Sequence, residues 1–148
     1  MKESFAKVVD ISPKDTLRRE AVAEGTIFLR SSTMDLVREG KIEKGDPLQI
    51  ASIGAIQAAK STSSSLMLCH PIPIEAVDVK FTTDQDSITA IVSVLAESKT
   101  GVEMEALNAV TSALLNIWDV VKKYEKDSYG QYPTARISNI RVVKKTKG

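Results

Sequence analysis

IEAVDVKFTTDQDSITAIVSVLAESKTGVEMEALNAVTSALLNIWDVVKKYEKD, Ile74 to Asp127, holds two apolar rhythms in one run. From Ile74 to Thr82, and again from Ile88 to Ala96, apolar and polar residues alternate, the period of a strand with one buried face. DQDS between them is made of turn formers, so the two segments read as a β-hairpin. After Gly101 the period lengthens. Leu107, Val110, Leu114, Ile117, Trp118 and Val121 recur at helical spacing and define one apolar stripe that runs to about Glu125. A hairpin feeding a long helix is half of a split β-α-β arrangement, and the rest of the chain can be tested against it.

Upstream, AVAEGTIFLR (Ala21 to Arg30) reads as a strand around Gly25, and Ser31 to Glu39 as a short helix stopped by Gly40. KIEKGDP is a turn, and Pro47 suits the first turn of a second helix reaching about Lys60. STSSS then breaks the pattern and leads into LMLCHPIPI, an apolar loop of the kind that is buried against something. Downstream, Ala135 to Val143 alternates as a last strand, with Ile137, Ile140 and Val142 as candidate core residues. Residues 1–20 and 144–148 show no clear period and are expected to be mobile. The order β, α, α, β, β, α, β predicts an α+β fold in one domain of residues 1–148. Its architecture is a ferredoxin-like antiparallel sheet with helices packed on one face. The other sheet face and the apolar loop point to a homo-oligomer.

Composition excludes several classes. With 43% hydrophobic and 26% charged residues the chain has the make-up of a folded globular protein. A formal net charge of +1 gives no global case for nucleic acid or an anionic membrane, although the tail RVVKKTKG is locally basic and reads as a solvated end. Cys69 is the only cysteine, which excludes an intramolecular disulfide and a multi-cysteine metal site. MKESFAKVVD lacks the apolar core of a secretion signal, and no apolar run approaches membrane length, so a cytoplasmic protein is expected.

The long helix also carries chemistry. Glu105, Asn108, Ser112, Asn116, Asp119 and Lys123 line its polar edge, with Lys122 and Lys126 beside them. Taken alone, these residues favour a solvated face with an i,i+3 Asp–Lys pair. Glu103 resists that reading: on the helix it sits on the apolar stripe beside Leu107, where an unpaired carboxylate is costly, and if residues 101–105 are extended it shares a side with Glu105; either way it needs a lysine or a substrate donor. His70, the only histidine, sits between Cys69 and Pro71 and suits substrate capture or proton transfer better than metal binding. Lys44, before Gly45–Asp46 at a helix start, could hold an anion or be a plain turn lysine. Arg19 could bind phosphate in a bidentate manner. Glu105 and Asp119 lie 14 positions apart, about 21 Å along a helix. If both ends act, the site is shared between subunits.

REAVAEG, KGDP, GAIQAAKSTSSSLMLCHP, KTGVEMEALNAVTSALL and WDVVKKYEKD together resemble the molybdenum cofactor biosynthesis protein C family, the cyclic pyranopterin monophosphate synthases. The resemblance spans about Val9 to Val143. It implies a ferredoxin-like subunit in a homohexamer, a trimer of dimers with active sites at interfaces. It also implies a lyase that rearranges a cyclised dihydro-GTP, supplied by the radical SAM GTP 3′,8-cyclase, into a pyranopterin with a cyclic phosphate, releasing pyrophosphate. The family's catalytic lysines fall on Lys44 and Lys122, with Asp119 beside the latter. Its pocket residues fall on Arg19, Cys69 and His70 of LCHP, Glu103, Glu105 and Lys126. No cofactor is required, although Mg²⁺ could accompany the phosphates. Two other classes remain as alternatives. An RNA-binding module would need aromatic stacking residues on the strands, for which Phe28 and Phe81 are the candidates, and a purely structural oligomer would tolerate loss of Lys44 or Lys122.

Overall fold

A computed structural model describes residues 5–148. The elements are β1 (Leu17–Phe28), α1 (Ser31–Arg38), α2 (Pro47–Lys60), α3 (Thr62–Ser65), β2 (Ala76–Thr83), β3 (Ser87–Ser98), α4 (Glu103–Glu125) and β4 (Arg136–Lys147). Alternation along β1 and β3 puts Ala21, Ala23 and Ile27 directly beside Val94, Val92 and Ile88, all fully buried on one face. Every neighbouring pair is antiparallel, in the order β2-β3-β1-β4. That is the ferredoxin-like sheet read from the sequence.

Helices α2 and α4 cover the apolar face. Ala51, Ala55 and Ala59 of α2 and Ala106, Ala109 and Ala113 of α4 are buried, so the facing surfaces consist largely of methyl groups and the helices approach closely. Val110, Leu114, Ile117 and Val121 of the stripe are fully buried, while Leu107 and Trp118 pack at its margin. Trp118 meets Tyr132 edge-on, with ring centroids 5.1 Å apart, and is a packing residue. Beneath α4, a Cβ on Gly25 would stand 2.9 Å from Leu114 Cδ1 and Val110 Cγ1, so only glycine lets β1 pass this close.

The structure corrects the sequence reading at four places. Leu17–Glu20 belong to β1, because β3 continues to Ser98 and offers them partners. Lys144–Lys147 likewise pair with Arg19–Val22, so β4 does not end at Val143. Of the ends expected to be mobile, these two stretches are therefore sheet; residues 1–4 lie outside the described residues. STSSS contains the helical turn α3, held where Thr62 Oγ1 and Ser61 Oγ donate back to the carbonyls of Ala58 and Gln57 at 2.9 and 2.8 Å. Finally, Ile140 and Val142 are 38% and 39% exposed, and only Ile137 of the three packs on the core. The cause is two breaks in the β1–β4 register, one of them at Asn139, whose φ of 61° is left-handed.

Candidate functional site

The KGDP turn delivers Lys44. Gly45 adopts a φ of 121°, Asp46 caps α2 by accepting from the Leu48 amide at 2.9 Å, and Pro47 begins the helix. Lys44 thereby reaches the last third of α4. Its Nζ lies 3.5 Å from Asp119 Oδ2 and 3.4 Å from the Asp119 carbonyl. Lys122 Nζ lies 2.9 Å from Asp119 Oδ1. One carboxylate thus holds two ammonium groups beside a cavity of about 370 Å³, whose wall also includes Lys123 and Tyr124.

A hydrogen bond from Lys122, then the charges of Lys122 and Lys44, hold the Asp119 carboxyl below its usual value, and the same bond pushes Lys122 up. The side chains are 41–60% exposed. Water reaches both ammonium groups and the only carboxylate between them is Asp119, so Lys122 moves away from neutrality rather than toward it. Lys126 is exposed at the C-cap of α4 and is absent from the cavity wall.

The polar edge between the two ends of α4 is not a solvated face. Asn108 Nδ2 donates to the Ala58 carbonyl at 3.1 Å and Ser112 Oγ to the Gly54 carbonyl at 3.3 Å, so this edge lies on α2. It grades from buried Glu105 to exposed Asp119.

At the start of α4 the two glutamates exchange the environments the sequence suggested. Glu103 is partly exposed, with Lys145 Nζ 3.3 Å from its Oε1, although its Oε2 is buried without a partner. Glu105 is the buried one, 2% exposed, with Oε1 lacking any partner and Oε2 accepting from Cys69 Sγ at 3.8 Å. Burial pushes the Glu105 carboxyl up, and the Cys69 thiol is raised by burial and by the Glu105 charge. Glu105 forms part of the wall of a cavity of about 340 Å³ with Lys60, Ser63, Pro71 and Pro73, while its unpartnered Oε1 is itself buried. His70 Nε2 is engaged by the Val9 carbonyl at 2.7 Å. Arg19 is 7% exposed and donates from Nε and Nη2 to the carbonyls of Ser98 and Lys99, at 3.3 and 3.2 Å, which fixes the approach to α4. Of the residues expected to act together, the structure unites Lys44 with Asp119 and Lys122, and Cys69 with Glu105. Arg19 stands apart from the lysine cluster.

Lys145 escaped the sequence reading, which took RVVKKTKG for a solvated end. It pairs in register with Ala21, on the helix-facing side of the sheet. Glu125 also escaped it, although it lies four residues after Val121 on the buried stripe, and that spacing is the signal that could have found it.

The Glu105 carboxyl makes a pH-dependent contribution with a definite sign. Its folded value lies above 4.5, so the native state binds more protons there than the unfolded chain. Stability therefore falls as pH rises from 4.5 through the folded value. Glu105→Gln is expected to remove that dependence and to raise the melting temperature at neutral pH by a few degrees. The difference between the two proteins' melting curves, followed from pH 4 to 8, reads it out. A constant difference across that range would refute it.

Two candidates for other chemistry lose ground. Phe81 packs against the core, whereas Phe28 lies on the opposite face beneath the Arg136 guanidinium, 4.1 Å from the ring centroid, so they form no shared stacking platform. Among the described residues no group of three or more His, Cys, Asp or Glu side chains is placed to hold a metal, and no helix is long and apolar enough to cross a membrane.

Known proteins resemble this chain over nearly its whole length. A probable cyclic pyranopterin monophosphate synthase of Pyrococcus abyssi is 53% identical over 145 residues, covering 98% of this chain and 91% of its own. One from Sulfurisphaera tokodaii is 51% identical over 142 residues, 96% and 94% of the two chains. A Methanothermobacter thermautotrophicus protein, named a probable cyclic pyranopterin monophosphate synthase accessory protein, is 54% identical over 145 residues, 98% and 91%. The model of the MoaC family matches residues 8–148, a span that takes in the KGDP turn, the LCHP loop and all of α4. With half its residues shared across almost its whole length, this chain belongs to the MoaC family.

Proposed function

We propose that this chain is a cyclic pyranopterin monophosphate synthase. It would be a lyase that converts (8S)-3′,8-cyclo-7,8-dihydroguanosine 5′-triphosphate to cyclic pyranopterin monophosphate and pyrophosphate, an early step of molybdenum cofactor biosynthesis. The observation that carries the reading is the Lys44–Asp119–Lys122 cluster, drawn from positions 75 residues apart and joined by contacts of 3.5 and 2.9 Å. Two ammonium groups beside an open cavity suit a polyphosphate, whose charge they offset.

In this reading Lys44 and Lys122 transfer protons during ring opening and closure, and Asp119 orients Lys122. The depressed Asp119 carboxyl keeps its charge throughout the neutral range, so it holds Lys122 in one place. A bound triphosphate and a second subunit would supply the desolvation that an isolated subunit lacks. Glu103 and Glu105 organise the purine side, where the unpaired Glu105 Oε1 can accept from a ring N–H. His70 and Cys69 face the ribose or phosphate side, and Arg19 and Lys126 add cationic contacts from other parts of the assembly. The enzyme acts in the cytoplasm as a homohexamer, a trimer of dimers, fed by the radical SAM GTP 3′,8-cyclase. It needs no cofactor of its own beyond any Mg²⁺ carried in with the phosphates.

The direct test supplies the cyclised dihydro-GTP to assembled protein and measures pyrophosphate and the pterin product. Turnover to both is expected. Correctly folded, oligomeric protein that yields neither would end the assignment.

A further inference from the structure

Lys44 and its partners come from different parts of the fold, and something must fix the distance between them. Asp119 and Lys122 are carried by α4, whereas Lys44 lies on the loop between α1 and α2. Two polar links from the last turn of α4 reach that segment. The Tyr124 hydroxyl accepts from the amide of Glu43, the residue immediately before Lys44, at 2.9 Å. Glu125, fully buried, accepts from the Arg30 amide through Oε2 and Oε1 at 3.0 and 3.3 Å, and Thr33 Oγ1 also donates to Oε2. The cap residue Arg30 makes no side-chain capping bond of its own, so α1 is capped from across the molecule. A buried carboxylate is costly unless its lone pairs are used, and this one is used wholly on the segment that leads to Lys44. Lys123 adds an ion pair with Glu43, but both side chains are well exposed, which leaves it a minor restraint.

We infer that the last turn of α4, through the Tyr124 hydroxyl and the Glu125 carboxylate, positions Lys44 against Asp119. Tyr124 and Glu125 are positioning residues here: Glu125 grips the start of α1, Tyr124 grips the chain next to Lys44, and both ride on the helix that bears Asp119 and Lys122. Any tilt of α4 would carry both sides of the cluster together. The inference rests on the proposed role of Lys44, and its test separates the two.

Tyr124→Phe keeps the ring and its packing while deleting the acceptor. In the assembled enzyme, with the cyclised dihydro-GTP as substrate, it is expected to lower kcat about tenfold, with KM and the melting temperature nearly unchanged. Added to Lys44→Ala it is expected to cost nothing further, because no lysine remains to be positioned; a merely structural role would cost the same in both backgrounds. Full kcat in Tyr124→Phe beside a crippled Lys44→Ala would overturn this inference alone. So would a raised KM at unchanged kcat, which marks a substrate contact, or an equal loss in both backgrounds. Full activity in Lys44→Ala would instead overturn the role of Lys44 and, with it, this inference.

Discussion

Lys122→Ala is expected to lower kcat by at least about 10²-fold, the scale of a lost general acid or base, while leaving the melting temperature of the protein unchanged. The two halves of that expectation come from the same geometry. The Lys122–Asp119 contact is 2.9 Å long but its side chains are 41% and 60% exposed, so water already solvates both charges and little folding free energy depends on them. A pair that contributes little to stability yet is held by a third group, Lys44, is placed for something other than folding. Asp119→Asn sharpens the point: it keeps the shape and removes the charge that raises Lys122, so the lysine should lose both its orientation and its shift. Pyrophosphate release by each variant, alongside its melting curve, checks the expectation. Activity of Lys122→Ala within a few fold of the parent protein would show that the cluster is a surface ion network.

The sheet and its cover were legible because their signals are local periodicities. Alternation at Ile88 to Ala96 and the 3.6-residue stripe of α4 each follow from one buried face, and burial is what the structure shows. β4 was less legible, for its register depends on two bulges, and the left-handed Asn139 that accompanies one of them leaves no mark in a count of apolar residues. The same irregularity hid Lys145, whose side of the sheet cannot be assigned by parity once the strand has slipped. The site divides along similar lines. Lys44, Asp119 and Lys122 could be proposed because the family resemblance of the KGDP and WDVVKKYEKD stretches marks them, whereas the i,i+3 spacing alone favours a solvated face. The exchange between Glu103 and Glu105 could not, since it depends on how the start of α4 meets Lys145 on β4 and Cys69 in the LCHP loop. Contacts between segments remote in sequence decide such pairings, and periodicity carries no information about them.

Mixing two inactive proteins, Glu105→Gln and Lys122→Ala, is expected to restore activity. Both residues are carried by α4, and 17 positions along an α-helix separate them by about 25 Å. A single small substrate cannot bridge that length, and within one subunit the two ends open on separate cavities, one including Glu105 and the other Lys44, Asp119 and Lys122. If both ends serve the reaction, each must be completed by the opposite end of a neighbouring helix. Subunits that exchange at random would then rebuild about a quarter of the sites with both halves intact, as a two-fold interface requires. Glu105→Gln is the suitable partner because it retires the carboxylate without opening a hole, and a protein made more stable by losing a functional charge is the trade expected where a strained group serves chemistry. Pyrophosphate release after a cycle of dissociation and reassembly, with exchange proven by a size or mass tag, gives the readout. Recovery near a quarter of parental activity would assign the two ends of α4 to different sites. Its absence after complete exchange would mean that the glutamate end and the lysine end do not complete each other across an interface.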